Sequence, residues 1–227
     1  NHSIVPHGPD PRWLNAGSYS GGDDIGANFY PELGAYSSHD PEIIDQHMRM
    51  MKDAGIGVVA MSWWGKNGFE EKSIGKYLDS AHKNGLKLAF HIEPIFKSAE
   101  EFKDLLSYII DNYGDHPGLY QYKGKPFYYV YDSYKVKSEE WKRILDPDSP
   151  ETIRNTALDA TFIGIWVLRS TRDFFLDSGF DGFYTYYASD KYVWASNPKN
   201  WPEMAQFAKK NNLLFSPSVG PGYIDTR

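Results

Sequence analysis

A histidine and a glutamate two positions apart form the sharpest chemical feature of the sequence. His91 and Glu93 lie at the end of Leu86–Glu93 (LKLAFHIE), an apolar run that is typical of a buried strand. Residues two apart on a strand point to the same side, so these two side chains are predicted to act together. A histidine beside a carboxylate can bind sugar hydroxyl groups or hold a charge in place. The alternative is a purely structural hydrogen-bonded pair.

Aromatic and acidic side chains follow two other apolar runs. Trp63 and Trp64 end the run Gly57–Trp64 (GVVAMSWW), and side-chain alternation predicts that one faces a binding site while the other joins the core. An aromatic ring at the mouth of a site suits stacking on the face of a sugar. The run Phe127–Tyr134 (FYYVYDSY) ends in phenols and an acceptor, for which the alternative is a turn that happens to use aspartate. These residues are Tyr131, Asp132 and Tyr134.

Hydrolysis of a glycosidic bond usually needs two carboxylates, one on either side of the bond. The candidates are Glu93, Asp132, Asp181 and Asp225. Asp181 begins its predicted strand, which is the wrong end for chemistry, and is therefore predicted to be structural. No pair among the four stands out, so no acid and base can be assigned from the residues alone.

Composition and the remaining motifs exclude several other chemistries. The chain has 227 residues and no cysteine, which excludes disulfides, thiolate catalysis and cysteine-ligated zinc. A net charge of -6 without a long basic run argues against a nucleic-acid partner. No Gly-x-Ser-x-Gly elbow of a serine hydrolase is present, and no apolar run approaches the roughly 20 residues of a membrane span. Four histidines lack metal-ligand spacing: His39, His47, His82 and His116.

Apolar runs alternate with amphipathic segments along most of the chain. Strands are predicted at 57–64, 86–93, 127–134, 161–168, 181–187 and 213–219. Helices are predicted from the N-cap Asp40 to Gly55, around 73–84, from the capping box of Ser98 and Glu101 to Gly114, and near 139–144, 170–178 and 201–211. This alternation predicts an α/β fold with a parallel sheet covered by helices, in a single domain spanning residues 1–227.

Two α/β architectures fit this pattern, a doubly wound sheet and a closed barrel. A doubly wound sheet concentrates its site at one switch point, and no glycine-rich phosphate turn follows the first strand. Polar and aromatic residues instead cluster at many strand ends, which form the active face of a barrel. Besides the groups above, these clusters contain Tyr184, Tyr186, Tyr187, Ser216 and Ser218. The sequence therefore predicts a (β/α)8 barrel with about six strands present and about one missing at each end.

A series of motifs carries a resemblance to a known family. They are Asp23–Gly26 (DDIG), Phe29–Gly34 (FYPELG), Tyr36–Ser38 (YSS), Ser62–Trp63 (SW), Phe90–Pro94 (FHIEP), Tyr129–Tyr134 (YVYDSY), Ser178–Gly182 (SGFDG) and Pro217–Thr226 (PSVGPGYIDT). In this order they resemble glycoside hydrolase family ninety-nine, the family of the glycoprotein endo-α-1,2-mannosidases. The similarity runs from about Asp23 to Arg227, and the motifs are jointly specific.

The resemblance implies a fold and an activity. The family fold is a (β/α)8 barrel, and the implied reaction is endo-cleavage of α-1,2-mannosyl linkages in N-glycans, releasing a capped disaccharide such as glucosyl-mannose. The family retains anomeric configuration through a 1,2-anhydro sugar, with two glutamates as base and acid, and needs no metal or organic cofactor. Animal members are Golgi proteins held by an N-terminal signal anchor, so a membrane association through an anchor absent from this chain is implied.

The resemblance also implies which residues bind substrate. The matching positions are Trp63, Trp64, His91, Glu93, Tyr131, Asp132, Tyr134 and Tyr223. Animal members usually have tyrosine where this chain has Trp64, which leaves both glucose-capped and plain mannose chains as substrates. The family's catalytic Asn-Glu-Trp-His-Glu motif is not in the sequence, and the glutamate pair is expected beyond Arg227. The family's first strand, with its Tyr and Trp cluster, is likewise absent before residue 20.

Two hypotheses from different classes follow. The first is a fragment of an active Golgi endo-α-1,2-mannosidase, and the second is a truncated non-catalytic mannose-binding protein. In either case the 227 residues alone are expected not to hydrolyse α-1,2-mannosides, because no acid and base pair is supplied. The isolated chain is also expected to be aggregation-prone, because an open barrel exposes the edges of its first and last strands.

Overall fold

The computed structural model describes Leu33 and residues 36–186, 188–190 and 192–220. Within these residues the chain forms six α-helices and seven strands. The helices are α1 (Pro41–Asp53), α2 (Ile74–Lys83), α3 (Ala99–Tyr113), α4 (Ser138–Leu145), α5 (Thr171–Asp177) and α6 (Trp201–Lys210). The strands are β1 (Val58–Trp63), β2 (Lys87–Ile92), β3 (Gln121–Tyr122), β4 (Lys125–Val130), β5 (Thr161–Ile165), β6 (Gly182–Tyr184) and β7 (Leu214–Ser216). None of the described helices is long and apolar enough to cross a membrane.

The described strands join in the order β1-β2-β4-β5-β6-β7. From β2 to β7 all neighbours on this path run parallel. A helix precedes or follows each of them in sequence, which confirms the predicted parallel sheet with alternating helices. β3 lies outside the path and forms an antiparallel hairpin with β4, through the two-residue turn Lys123-Gly124.

The chain divides into two compact units. The first comprises Asn1–Val59 and Lys72–Lys87, and the second comprises Ala60–Glu71 and Leu88–Arg227. The single domain expected from the sequence therefore stays a prediction.

In the first unit, α1 and α2 pack as a pair. The side chain of Asp40 accepts a hydrogen bond from the backbone N–H of Glu42 at 2.9 Å, and Pro41 occupies the first helical position, as the sequence predicts. Gly55, with φ of 82°, follows the end of α1. The core between these elements consists of Met48, Ala81 and Leu86, with Met51, Val59 and Tyr77 packed against it.

A hydrogen-bonded carboxylate joins the two helices of the first unit. Asp45 on α1 accepts hydrogen bonds from Ser80 Oγ at 3.1 Å and Asn84 Nδ2 at 2.9 Å, and pairs with Lys83 Nζ at 3.1 Å. It also pairs with Arg49 one turn along α1. The hydrogen bonds from Asn84 and Lys83 lower the pKa of Asp45 to about 2. Asp45 therefore stays ionised at neutral pH and links α1 to the C-terminal end of α2.

In the second unit, one face of the sheet packs against helices. The strands place large apolar side chains on this face, and they are fully buried: Trp63, Phe90, Tyr128, Phe162 and Phe183. The helices cover them with aromatic rings. Phe102 of α3 lies 5.8 Å from Phe162, and Phe207 of α6 lies 6.1 Å from Phe183, measured between ring centroids.

The start of α3 differs slightly from the predicted capping box. Ser98 Oγ accepts a hydrogen bond from the backbone N–H of Glu101 at 3.2 Å, as predicted. The carboxylate of Glu101, however, accepts from the backbone N–H of Lys97 at 2.7 Å, one residue before the expected donor. Both bonds satisfy donors that the first turn of a helix would otherwise leave unpaired.

The opposite face of the sheet is lined by alternate residues of the same strands. Its buried core contains Phe127, Ile163, Ile165 and Tyr184, with Tyr129 and Tyr131 among the residues packed against it. One contact on this face reports the curvature of the sheet. His91 on β2 and Tyr184 on β6 are hydrogen-bonded at 2.8 Å, although β4 and β5 lie between their strands. In a flat sheet three strand spacings separate such strands by roughly 14 Å, so the sheet curls inward on this face, as in a barrel.

Arg154 organises the opposite end of the strands. Its guanidinium and Nε donate to the carbonyl oxygens of Leu145, Ala160 and Gly179 at 2.7–3.0 Å. It also pairs with Asp159 at 3.3 Å and Asp181 at 3.0 Å. Asp181 Oδ2 accepts in addition from the backbone N–H of Phe162 at 2.8 Å. These contacts confirm the structural role predicted for Asp181, which holds the beginnings of β5 and β6 together.

Candidate functional site

Glu93 is the centre of a hydrogen-bonded group at the C-terminal ends of β1 and β2. It is only 7% exposed. Its Oε1 accepts a hydrogen bond from Ser62 Oγ on β1 and contacts His91 Nδ1 at 3.0 Å. Its backbone N–H donates to the carbonyl oxygen of Trp63 at 3.1 Å, which continues the pairing of the two strands by one residue. Glu93 is therefore fixed by both its backbone and its side chain.

The partners of His91 define which ring nitrogen carries its proton. In the tautomer that fits a carboxylate acceptor, Nδ1–H donates to Glu93 and Nε2 is an acceptor. The hydroxyl of Tyr184 on β6 lies 2.8 Å from Nε2 and donates to it. The result is a continuous chain, Tyr184 to His91 to Glu93, with Ser62 as the second donor to Glu93. The structure brings the side chains of His91 and Glu93 into contact, as their spacing predicts, and their joint role in a site stays a prediction.

Three tyrosines surround the His91 ring. The ring centroids of Tyr129, Tyr131 and Tyr184 lie 6.2, 5.4 and 5.6 Å from that of His91. Burial, and then the charge of Glu93, raise the pKa of Tyr184 well above its ordinary value. Burial likewise raises the pKa of Tyr129 and of Tyr131. All three phenols are therefore protonated at neutral pH and serve as hydrogen-bond donors.

A more exposed group lies where the chain leaves β4. Asp132 adopts a left-handed backbone with φ of 48°. Its carboxylate accepts from Tyr134 Oη at 2.8 Å and pairs with Lys135 at 2.7 Å. Burial, and then this hydrogen bond, raise the pKa of Tyr134 to about 12. Tyr131 links the group to Tyr186, whose ring centroid lies 5.2 Å away.

The two adjacent tryptophans have different environments. Trp64 directly follows β1 and is 51% exposed, so it remains a candidate for stacking on a sugar. Trp63 is fully buried; its ring lies 5.8 Å from Phe90 and 6.0 Å from Tyr108 of α3. The assignment of Trp63 to the substrate site is therefore corrected, since its side chain belongs to the core between the sheet and α3.

The other predicted site residues fall into two groups, those that the structure describes and those outside the described residues. His91, Glu93, Tyr131, Asp132 and Tyr134 lie where parallel strands end, and the structure brings the first three together around the His91 ring. Tyr223 and Asp225 lie outside the described residues. Sequence reasoning did not assign Ser62 and Tyr129 to the site, and it named Tyr184 only among strand-end residues. Alternation would have found Ser62, which is two positions before Trp64, and Tyr129, which is two before Tyr131.

In the part of the chain that the structure describes, no group of three or more histidine and acidic side chains could hold a metal ion. The chemistry that the described residues offer is that of hydroxyl recognition. A carboxylate, an imidazole and several phenols present acceptors and donors beside exposed aromatic rings, which together suit a polyhydroxylated ligand with apolar ring faces.

Comparison with known proteins agrees with this chemistry. The model of the family described as Glycosyl hydrolase family 99 matches residues 1–227. The chain is 42% identical to the mouse (Mus musculus) glycoprotein endo-alpha-1,2-mannosidase over 241 residues, which cover 100% of this chain and 52% of that protein. It is also 42% identical to the human (Homo sapiens) glycoprotein endo-alpha-1,2-mannosidase-like protein over 242 residues, with 100% and 52% covered.

Two solved structures of a GH99 endo-alpha-mannosidase from Bacteroides thetaiotaomicron share the fold. One is 43% identical with a TM-score of 0.85, covering 99% of this chain and 66% of that one. The other, in complex with BIS-TRIS-propane, is 46% identical with a TM-score of 0.84, covering 89% and 63%. These matches confirm the α/β fold of an incomplete (β/α)8 barrel. The chain spans about half the length of the curated relatives it matches. It belongs to glycosyl hydrolase family 99.

Proposed function

We propose that the full-length protein is an endo-acting, retaining glycoside hydrolase that cleaves α-1,2-mannosidic linkages in N-glycans. Its products would be disaccharides of the glucosyl-mannose or mannosyl-mannose type. The names of the mouse and human relatives support the linkage, and the family supports glycoside hydrolysis. The observation that carries the proposal is the chain Tyr184–His91–Glu93 at the C-terminal ends of the strands, the face where barrel enzymes have their sites.

This chain would act by holding the substrate in one orientation. Glu93 and His91 are fixed by bonds to Ser62 and Tyr184, so they lose little freedom when a ligand binds. A fixed carboxylate can accept hydrogen bonds from sugar hydroxyls, and a protonated phenol such as Tyr131 can donate one. Trp64, which follows β1 directly, provides an exposed aromatic face. Glu93 is assigned to substrate orientation in this proposal.

The reaction itself needs an acid and a base, which we assign to a glutamate pair beyond Arg227. In the proposed route the sugar's 2-hydroxyl attacks its own anomeric carbon. The base takes the hydroxyl proton while the acid protonates the departing oxygen, which gives a 1,2-anhydro sugar. Water then opens this ring at the anomeric carbon and restores the original configuration. We also propose a Golgi location and an N-terminal signal anchor for the full-length protein.

The activity is tested by incubating the full-length protein with two α-1,2-linked mannosyl oligosaccharides, one capped by glucose and one by mannose. We expect release of a disaccharide from at least one, with the α-anomer formed first in a proton NMR time course. Release of single terminal sugars, or formation of the β-anomer first, would contradict the proposal. Binding of both oligosaccharides without turnover would favour a mannose-binding protein instead.

The first prediction concerns Glu93. In the full-length enzyme Glu93→Gln removes the charge that His91 and Ser62 recognise while preserving the side-chain shape. Because hydrogen bonds to a charged group contribute about 1.5–3 kcal/mol, we expect kcat/KM to fall roughly 10- to 100-fold. Circular dichroism should show an unchanged fold. Glu100→Gln is the matched control, since Glu100 is exposed on α3 and pairs with Lys103 on the same helix. Near-normal kinetics of Glu93→Gln would leave the pair with a structural role alone.

A further inference from the structure

The loop that follows β1 is closed at its base by a partly buried side-chain contact. The indole Nε1–H of Trp63, the last residue of β1, donates to Glu71 Oε2 at 2.6 Å. Residues 64–70 lie between these two and include the exposed Trp64. Because Trp63 is fully buried, Glu71 also provides the acceptor that its indole N–H needs away from water.

The second oxygen of Glu71 is held by α3. Tyr108 Oη and Tyr113 Oη donate to Oε1 at 2.6 and 2.5 Å. The hydrogen bond to Glu71 is the largest cause of the raised pKa of Tyr108, and after burial it also raises the pKa of Tyr113. Both phenols therefore remain donors at neutral pH. Glu71 thus joins the far end of the loop to a strand and to a helix at once.

The loop itself is folded tightly against Trp64. Gly65 has φ of 86°, a conformation that other residues rarely adopt. The backbone N–H of Gly68 donates to the carbonyl oxygen of Gly65 at 2.8 Å. A Cβ at Gly68 would lie 3.1 Å from Cβ of Trp64, so the turn packs directly against the tryptophan. The position of Trp64 is consequently set by the turn beside it and by the contact that closes the loop.

We propose that Glu71 is a positioning residue for Trp64, acting through Trp63, Tyr108 and Tyr113. Trp64 directly follows Trp63, so holding Trp63 in the core through Glu71 fixes the backbone from which the exposed Trp64 side chain projects. This inference rests on the proposed function in one respect, namely that Trp64 contacts a sugar. It gives Glu71 a part in determining how tightly substrate is bound, although this carboxylate lies on the helix side of the sheet and away from His91 and Glu93.

The direct test uses Glu71→Gln in the full-length protein. A glutamine can still accept from the tyrosines, but its NH2 group faces the indole N–H, and two donors cannot bond. With tryptophans replaced by 5-fluorotryptophan, the Trp64 fluorine resonance is assigned by its loss in Trp64→Phe. We expect Glu71→Gln to shift or broaden it. Asp45→Asn is the matched control, since Asp45 also accepts from several side chains but joins α1 to α2 in the first unit. An unmoved Trp64 resonance in Glu71→Gln overturns the proposal.

The kinetic test separates positioning from general damage. For Glu71→Gln we expect KM for the α-1,2-mannosyl substrate to rise about fivefold to tenfold, while kcat changes less than about twofold. Tyr113→Phe, which removes one donor to Oε1, should move KM in the same direction by less. Asp45→Asn should leave both constants unchanged. Loss of kcat at constant KM in Glu71→Gln would contradict a role through a binding residue.

A double-mutant cycle identifies Trp64 as the residue through which Glu71 acts. If it is, Trp64→Ala alone raises KM, and the double variant Trp64→Ala with Glu71→Gln has a KM within about twofold of Trp64→Ala. Additive effects, or an unchanged KM in Trp64→Ala, overturn the proposal. An inactive wild-type protein would instead refute the proposed function, and the fluorine resonance would still decide whether Glu71 holds Trp64.

Discussion

Identical neighbouring residues have different roles in this chain because strands alternate their faces. Trp63 is buried between the sheet and α3, whereas Trp64 is half exposed. Tyr128 and Tyr129 repeat the contrast on β4. Tyr129 lies 6.2 Å from His91, while Tyr128 is fully buried among Phe90 and Phe162 on the helix side. The residue types alone therefore could not separate core from site; the register of each strand does so.

The second prediction follows from the Tyr128 hydroxyl. It is buried and has no hydrogen-bond partner among the residues that the structure describes. An unsatisfied buried hydroxyl costs free energy, so Tyr128→Phe should raise the free energy of unfolding by about 1 kcal/mol. Chemical denaturation of the full-length protein measures it. Tyr108→Phe is the control, because its hydroxyl donates to Glu71 at 2.6 Å and its loss should not stabilise. A destabilised Tyr128→Phe would show that the hydroxyl is satisfied in solution.

At the scale of elements, the sequence was most informative where local chemistry decides the backbone. Asp40 and Pro41 begin α1 and Ser98 begins α3, as predicted, because caps and proline act within one turn. The strand predicted over 127–134 ends earlier, at Val130, because Asp132 takes a left-handed backbone stabilised by Lys135 and Tyr134. The hairpin of β3 and β4 was missed. The sequence feature that marks this hairpin is the two-residue turn Lys123-Gly124. Both residues have positive φ in the structure.

The third prediction concerns the contact between α1 and α2. The pKa of Asp45 is lowered to about 2 from its ordinary 3.8, so the ionised form is favoured in the folded state. Its contribution to stability is present above the ordinary pKa and is lost as the pH falls toward 2. Asp45→Asn should therefore be less stable than wild type at neutral pH, and the difference should shrink with acidification through this range.

Thermal unfolding of the full-length protein at several pH values provides the measurement. Asp104→Asn, on an exposed turn of α3, is the control and should have little effect at any pH. A stability difference for Asp45→Asn that is independent of pH would show that its hydrogen bonds act without the charge.

At the scale of the whole molecule, alternation of strands and helices was enough to predict the α/β class and its parallel order. Alternation alone left a doubly wound sheet and a barrel open, and the polar and aromatic residues at many strand ends favoured the barrel. The hydrogen bond from Tyr184 on β6 to His91 on β2 supports that prediction, because it joins two strands that are not neighbours. For the site, the sequence indicated only that Tyr184 and His91 lie at strand ends. The curvature of the sheet shows that the two side chains are in contact.

The residues at the two ends of the strands have different roles. Arg154 joins Asp159 and Asp181 where β5 and β6 begin, and Glu93 and His91 lie where β2 ends. The charged residues at one end hold the strands together. The residues at the other end are the ones that would face a ligand. This division is typical of barrel enzymes. It explains why a carboxylate at the start of a strand was rightly set aside as a candidate for chemistry.

The buried tyrosines of the sheet and of the helices that cover it allow alkaline unfolding to be followed by absorbance. Burial raises the pKa of Tyr113, Tyr128, Tyr129, Tyr131 and Tyr184 above the ordinary 10.0, so the folded state keeps their protons. The stability linked to them is complete below that ordinary value and is lost as the pH rises through the raised values. Ionisation of these five tyrosines should then be delayed until the fold opens, so that part of the near-ultraviolet absorbance of tyrosinate should rise in a steep step that coincides with loss of the far-ultraviolet dichroism. The remaining tyrosines of the chain contribute separately to the absorbance. A titration without that steep step would mean that solvent already reaches the five rings.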